Sequence, residues 1–136
     1  MHHFFDIRGI VKRFPDHAVS TIVDTYLTDR PEASSRLFRV YYPIAPHYHV
    51  TCEEHLYLLT GKVAFTVGEE RPRILEAGQL VTFDRNVVHA IPEVLEEPAV
   101  FLAVDTPRRV PSDVIYVSPD DAKVRPFVTH LEDLVT

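Results

Sequence analysis

Residues 46–61, PHYHVTCEEHLYLLTG, decide what this chain folds into. His47 and His49 are two positions apart, and residues i and i+2 of a β-strand point to the same face of a sheet. Both imidazoles can therefore reach one point. Glu54 follows five residues after His49, which leaves room for a short turn before a strand that Gly61 is predicted to end. The stretch predicts two strands that bring two imidazoles and a carboxylate together.

Residues 78–89, GQLVTFDRNVVH, supply a third imidazole at His89. Imidazole suits Fe, Ni and Zn, and a carboxylate extends the range toward Mn. Four protein ligands on an octahedral metal leave two open positions for a substrate or dioxygen, unlike a closed structural site. We predict one divalent transition metal (Fe, Mn, Ni or Zn) as cofactor. The predicted metal ligands are His47, His49, Glu54 and His89.

Together the two stretches resemble the paired motifs of the cupin superfamily. The first reads His-Tyr-His-x4-Glu-x6-Gly over residues 47–61, and the second reads Gly-x5-Asp-x-Asn-x2-His over residues 78–89. Asp84 and Asn86 stand where the family has Pro and Gly. The resemblance implies a double-stranded β-helix, and it implies the same four metal ligands. Glu53 is the alternative carboxylate, but the spacing to the closing glycine favours its neighbour.

Short apolar runs separated by turn residues continue on both sides of the motifs. The eleven Pro and four Gly residues fall mostly between these runs, which is typical of short strands and turns. We predict an all-β, jelly-roll cupin barrel with short helical pieces at the termini. It forms one domain, with the barrel core at about 18–105 and a C-terminal extension, 106–136, packed on it. The predicted strands are 19–27, 37–42, 56–59, 62–67, 74–75, 80–83, 87–91, 99–104 and 114–117, and the predicted helical pieces lie within 4–14 and 127–134.

Aromatic residues of the predicted strands are candidates for the wall of an apolar pocket around the metal. Phe65 alternates with polar neighbours on its strand, and Phe83 and Phe101 can join it in the barrel interior. Plain core packing is the alternative for all three. An apolar interior favours an oxygenase over an enzyme acting on sugars.

Polar candidates near the site are few. Arg39 is the candidate to clamp a carboxylate substrate, with surface placement as the alternative. Tyr41 and Glu53 are the candidates for a general acid or base, and catalytic residues beyond them are unknown. The remaining histidines, including His130, lack partners at useful spacing and are predicted to be solvated.

Composition limits the function classes. The formal net charge of −6 argues against binding nucleic acid or an anionic membrane surface. Cys52 is the only cysteine, which excludes an intramolecular disulfide and suits a reducing cytoplasm. No apolar run is long enough to span a membrane. Exposed strand edges, such as that of 19–27, predict a homodimer.

These observations predict a metal-dependent, dioxygenase-like enzyme that acts on a small organic substrate. One alternative is a non-catalytic cupin that binds or senses a small molecule. A second alternative is a metal-dependent sugar isomerase or epimerase.

Overall fold

The computed structural model describes residues 1–136, and half of them lie in β-strands. The predicted all-β class with a jelly-roll fold is confirmed, as are short helices near both termini. The elements are α1 (Ile7–Arg13), β1 (Ile22–Arg30), β2 (Ala33–Val40), β3 (Ile44–Tyr48), β4 (Glu53–Val67), β5 (Arg73–Glu76), β6 (Leu80–Phe83), β7 (His89–Thr106), β8 (Ile115–Tyr116), the 3-10 helix η1 (Pro119–Lys123), β9 (Val128–His130) and the 3-10 helix η2 (Asp133–Val135).

Two long strands organise the fold. β4 and β7 pair antiparallel from Glu53 opposite Thr106 to Val67 opposite His89, with four shifts of register along the way. The main path of the sheet runs β5-β4-β7-β2-β1-β9, and β3, β6 and β8 pair off it. Register shifts bend strands and increase their twist. The bent pair therefore curves the sheet around an apolar core.

Gly61 does not end a strand as predicted, because β4 runs through it. Its φ is +87°, a left-handed conformation that side chains rarely adopt. A Cβ there would lie 2.5 Å from the Pro98 carbonyl oxygen and 2.6 Å from Ala99 Cα. Gly61 thus permits an irregularity at which β4 stays paired with β7. The same continuity joins the predicted strands 87–91 and 99–104 into β7.

The C-terminal extension departs from the prediction. Residues 127–134, expected to be helical, contain the strand β9 and only the start of η2. β9 pairs parallel with β1, and Asp24 lies opposite His130. This long-range pairing overrides the local pattern. It also covers part of the edge of β1 through which dimerisation was expected, and the homodimer remains a prediction.

The segment around the first motif forms the strand β3, which contains Pro46. β3 is a short strand that pairs with β7 through His47 opposite His89 and with β8 through His47 opposite Tyr116. Proline is tolerated in such short, irregularly paired strands. The pairing with β7 fixes the relative position of two predicted metal ligands.

Replacing Gly61 with alanine is expected to destabilise the fold strongly. The added Cβ would clash with backbone atoms, and alanine is strained at this φ. We therefore expect a loss of about 2–4 kcal/mol in the free energy of unfolding. Gly68 is the matched control, since its φ is +61° but nothing lies within 4 Å of an added Cβ. Gly68→Ala should cost about 1 kcal/mol. Equal losses for the two variants in urea unfolding would contradict this role of Gly61.

Candidate metal centre and adjoining cavity

Three histidines meet inside the fold. His47 lies on β3, His49 follows that strand directly, and His89 begins β7. Each residue contributes one ring nitrogen to a group of three, and these nitrogens all lie within 4.8 Å of one another. All three side chains are buried, with at most 4% of the residue exposed. The pairing of β3 with β7 therefore gathers imidazoles that are far apart along the chain.

Each imidazole is held by its Nδ1 atom. His47 and His89 lie 2.8 and 3.0 Å from the carbonyl oxygens of the residues two positions earlier. His49 Nδ1 lies 2.6 Å from the carbonyl oxygen of Asp113. Because a carbonyl oxygen only accepts hydrogen bonds, Nδ1–H donates at His47 and His89, and their Nε2 lone pairs are left free. At His49, Arg109 Nη1, which can only donate, also lies 2.8 Å from Nδ1, so this nitrogen either donates to the Asp113 carbonyl or accepts from Arg109. A free Nε2 lone pair is the arrangement that metal-ligating histidines use.

Glu54, at the start of β4, lies next to two of these histidines. Its Oε1 atom lies 2.7 Å from His49 Nε2 and 3.5 Å from His89 Nε2. Burial raises the pKa of Glu54, but the interactions with these two histidines outweigh burial and hold the pKa well below its usual range. Glu54 is therefore a carboxylate.

The short contact between His49 and Glu54 tests whether a metal fits here. A carboxylate oxygen and an imidazole lone pair repel each other at 2.7 Å unless a positive charge lies between them. That charge is a proton or a metal ion. Burial lowers the pKa of His47 to about 3, and its neighbours His89 and His49 act in the same direction. The His47 ring is therefore neutral and able to bind a metal. The donor set fits a divalent transition metal.

Arg36 on β2 fixes the outer oxygen of Glu54. Its Nη2 atom donates to Glu54 Oε2 at 3.2 Å, Nε donates to Asp105 Oδ2 at 2.8 Å, and Nη1 donates to Asp24 Oδ2 at 3.5 Å. All four residues are buried. Burial raises the pKa of Asp105, although Arg36 opposes that effect. One guanidinium thus holds three carboxylates, and of these only Glu54 lies against the three buried histidines.

A solvent-connected cavity of about 540 Å³ adjoins the histidine group. It shares Ile22, Arg36, Arg109 and Phe127 with a small space of about 30 Å³ that the histidines line. The small inner space has mostly apolar walls, whereas the larger cavity is rich in charge. The prediction of an apolar pocket around the metal therefore holds only for the small inner space. The charged or histidine side chains of the larger cavity are Asp24, Asp29, Arg36, Arg108, Arg109, His130 and Glu132.

Arg109 lines both spaces and has no carboxylate partner within 4.0 Å, although only 6% of the residue is exposed. Its Nη1 atom lies 2.8 Å from His49 Nδ1, a contact that supplies no negative charge. The Cys52 Sγ atom is 4.0 Å away, and burial raises the pKa of this thiol to about 11, so it carries no charge. A buried cation without an anion is costly, on the order of several kcal/mol. Arg109 is therefore suited to an anionic ligand.

The three predicted pocket aromatics lie in different environments. Phe65 lines the small space, and its ring stacks 6.4 Å from that of His89. The Phe83 ring lies 4.1 Å from the His89 ring and supports it. Phe101 is fully buried and stacks on Phe38 at 5.1 Å, so it packs in the core and lines neither space.

The predicted polar candidates lie away from the histidines. The Tyr41 hydroxyl donates to the Pro15 carbonyl at 2.6 Å, and burial raises the pKa of Tyr41 to about 12. Arg39 donates to the same carbonyl at 3.2 Å and lies over the Tyr41 ring. Glu53 precedes Glu54 on β4 and points to the opposite face of the strand. The structure does not bring these three residues to the cavity.

Several polar residues of the site escaped sequence reasoning. Arg36 and Asp24 occupy buried positions in strands with apolar neighbours, and a charged residue in the inward register of a strand was the available signal. Arg109 lies in a loop beside another arginine, where nothing in the sequence signals burial. His130 is partly exposed, as predicted, but it has a partner in Asp24. Their roles depend on where the C-terminal extension lies, which local patterns do not specify.

Asp113 ties that extension to the first motif. Its carboxylate accepts hydrogen bonds from the backbone N–H groups of Val50 and Thr51 at 2.9 and 2.8 Å and from the Thr51 hydroxyl. Its carbonyl oxygen accepts from His49. Burial raises the pKa of Asp113, but the hydrogen bonds from Thr51 and Val50 outweigh it, and the pKa is lowered overall. Asp113 therefore holds the loop that carries His49.

Comparison with known proteins agrees with this architecture. The family model described as "Cupin domain" matches residues 41–105. KdgF from Halomonas sp. superposes with a TM-score of 0.64 at 18% identity, covering 79% of this chain and 96% of that one. The DMSP lyase DddQ from Ruegeria pomeroyi DSS-3 gives 0.65 at 16% identity, covering 79% and 57%. Streptomyces PAC13 with uridine gives 0.61 at 13% identity, covering 93% and 99%.

At these identities the likenesses concern the fold. A search of the curated proteins found no match. None of the helices is both long and apolar enough to cross a bilayer.

Replacing Asp113 with asparagine is expected to destabilise the protein in a pH-dependent way. Loss of the charged hydrogen bonds should lower the free energy of unfolding by about 1–2 kcal/mol at pH 7. Because the pKa is lower in the folded state, the carboxylate contributes its stability above the unfolded-state value, about 3.9, and loses it as the pH falls through the folded-state value. In urea unfolding, the difference in the free energy of unfolding between wild type and variant should be smaller at pH 3 than at pH 7.

The matched control is Asp120→Asn, at a side chain that is 87% exposed. It should change stability little at either pH. A wild-type advantage over Asp113→Asn that stays constant down to pH 3 would refute the role of the charge.

Proposed function

Because this chain belongs to the cupin superfamily, with its domain matched over residues 41–105, we propose that it is a metal-dependent enzyme that transfers protons on a small organic acid. The observation that carries the proposal is the buried contact of 2.7 Å between His49 Nε2 and Glu54 Oε1, beside two further imidazoles and a charged cavity. This arrangement needs a proton or a metal ion between the two atoms and leaves space for a ligand next to it.

The proposed ligands are the Nε2 atoms of His47, His49 and His89 together with Glu54 Oε1. A divalent ion bound there would polarise a substrate oxygen as a Lewis acid. The carbonyl partners of the three Nδ1 atoms fix the ring orientations before any metal arrives. Arg36 keeps the Glu54 carboxylate turned with one oxygen toward the histidines. The site is therefore organised in advance, which limits the cost of binding.

The proposed substrate carries a carboxylate with a second oxygen beside it. Arg109 lacks an anionic partner and lines both the small space and the larger cavity. A guanidinium and a carboxylate form paired hydrogen bonds that fix position as well as charge. The neighbouring oxygen would then face the histidine group. A 2-oxo acid is the simplest molecule with these features.

The charged cavity favours acid–base chemistry. Asp24, His130 and Glu132 supply groups able to take or give a proton, and the DMSP lyase with the same fold is a lyase by name. The second candidate function is a dioxygenase, and the apolar wall of the small space, including Phe65 and Ile91, favours it. Oxygen consumption distinguishes the two, and binding without any turnover would select a binding module.

Pyruvate binding tests the proposal. Protein loaded with Zn²⁺ or Mn²⁺ should bind pyruvate in a calorimetric titration, and Arg109→Gln should weaken binding about 10- to 100-fold because a charged hydrogen-bond pair is lost. Arg8→Gln removes the same charge from an exposed helical position and should leave affinity unchanged. His89→Ala should lose most of its metal in elemental analysis.

Three outcomes would count against this function. Full metal content in His89→Ala would rule out the proposed metal centre. Equal pyruvate affinity in wild type and Arg109→Gln would rule out the proposed anion site. Oxygen consumed in proportion to substrate would replace proton transfer with the dioxygenase reaction.

A further inference from the structure

Beyond the histidine group, the cavity contains a second pair of titratable side chains. We propose that His130 accepts and returns the proton in the reaction, and that Asp24 is the residue that positions it. This inference rests on the proposed function for the substrate and deepens it by naming the group that exchanges the proton. Both residues lie outside the matched domain segment, 41–105.

The two side chains form an oriented dyad. His130 Nδ1 lies 2.8 Å from Asp24 Oδ1. Asp24 is buried, whereas the His130 side chain is 41% exposed. Since a carboxylate accepts and does not donate, Nδ1–H must be the donor, and the lone pair is left on Nε2. A base whose other nitrogen is fixed by a carboxylate is a recurrent catalytic arrangement.

The fold fixes this dyad through backbone pairing. Asp24 and His130 are directly opposite in the parallel pairing of β1 with β9. Leu131 N–H also donates to the Asp24 carbonyl at 2.9 Å. The Tyr26 ring packs edge-on against the His130 ring at 5.2 Å. The imidazole is therefore held by a strand, a carboxylate and an aromatic ring, although it lies near the end of the chain.

The dyad lies in the larger cavity, which adjoins the proposed metal centre. His130, Asp24, Arg36 and Arg109 all line the larger space. His130 Nε2 lies 4.0 Å from Glu132 Oε1, and Glu132 lines the same cavity with an exposed side chain. Asp24 reaches Arg36 at 3.5 Å, and Arg36 reaches Glu54 at 3.2 Å. Buried ion pairs thus connect the base to the carboxylate beside the histidines.

The proton transfer balances without another reagent. With pyruvate as the probe, His130 Nε2 takes a proton from the methyl carbon. The electron pair of the broken C–H bond forms the C=C bond of the enolate, and the π pair of the keto group moves to its oxygen. The negative charge of Asp24 stabilises the imidazolium, which then returns a proton to the same carbon. In D₂O the partly exposed imidazolium exchanges this proton with solvent and returns a deuteron, so the methyl signal of pyruvate is lost.

Exchange of the pyruvate methyl protons in D₂O, followed by proton NMR, tests the role of His130. Wild type loaded with Zn²⁺ or Mn²⁺ should accelerate exchange, and His130→Gln should slow it by about 100-fold or more. Metal content and pyruvate affinity should stay unchanged in that variant. His17→Gln removes an exposed histidine and should exchange like wild type. Equal rates in wild type and His130→Gln would overturn the proposal.

Nitrogen-15 NMR of the histidine rings tests the dyad without any substrate. We expect His130 in the Nδ1–H tautomer in wild type, and a shift of that population toward Nε2–H in Asp24→Asn, together with slower exchange. An Nε2–H tautomer in wild type would overturn the dyad whatever the kinetics.

The two levels of inference fail differently. Loaded wild type that binds pyruvate without exchanging its protons refutes His130 as the base. Loaded wild type that does not bind pyruvate refutes the proposed substrate class, and the tautomer measurement then decides the dyad by itself.

Discussion

The structure depends on a contact between two electron-rich atoms. His49 Nε2 and Glu54 Oε1 lie 2.7 Å apart in an interior that excludes most solvent. Such a contact needs a proton or a metal ion between the atoms, and the pairing of β3 with β7 adds a third and a fourth donor at the same place. The bent β4–β7 pair, the Nδ1–carbonyl hydrogen bonds and the loop held by Asp113 all serve to maintain this geometry.

The buried charges around Arg36 connect the histidine group to the cavity. Isolated buried charges are strongly unfavourable, and a guanidinium with several donors can offset this cost for more than one carboxylate. Arg36 has three such partners, whereas Arg109 has none. This asymmetry separates a structural arginine from one that is available to a ligand. Arg109, the proposed anion-binding residue, lines both the space among the histidines and the cavity.

The sequence predicts the local parts of this site and not the long-range ones. Two histidines at spacing i, i+2 must share a strand face, so His47 and His49 could be placed together from the sequence. The resemblance to the cupin motifs predicted the fold class and the place of His89 in the histidine group. Asp24 and His130 are far apart in the chain, and only the parallel pairing of β9 with β1 brings them together. Gly61 looked like a strand end because its conformational freedom suits a turn and a bulge equally well.

X-ray absorption spectroscopy of the protein loaded with Zn²⁺ tests the metal centre, because it counts the ligands on the ion. We expect three imidazole nitrogens and at least one carboxylate oxygen in the coordination sphere, with no sulfur. A sphere with one imidazole or none, or with a sulfur from Cys52, would contradict the convergence of His47, His49, His89 and Glu54 on one ion.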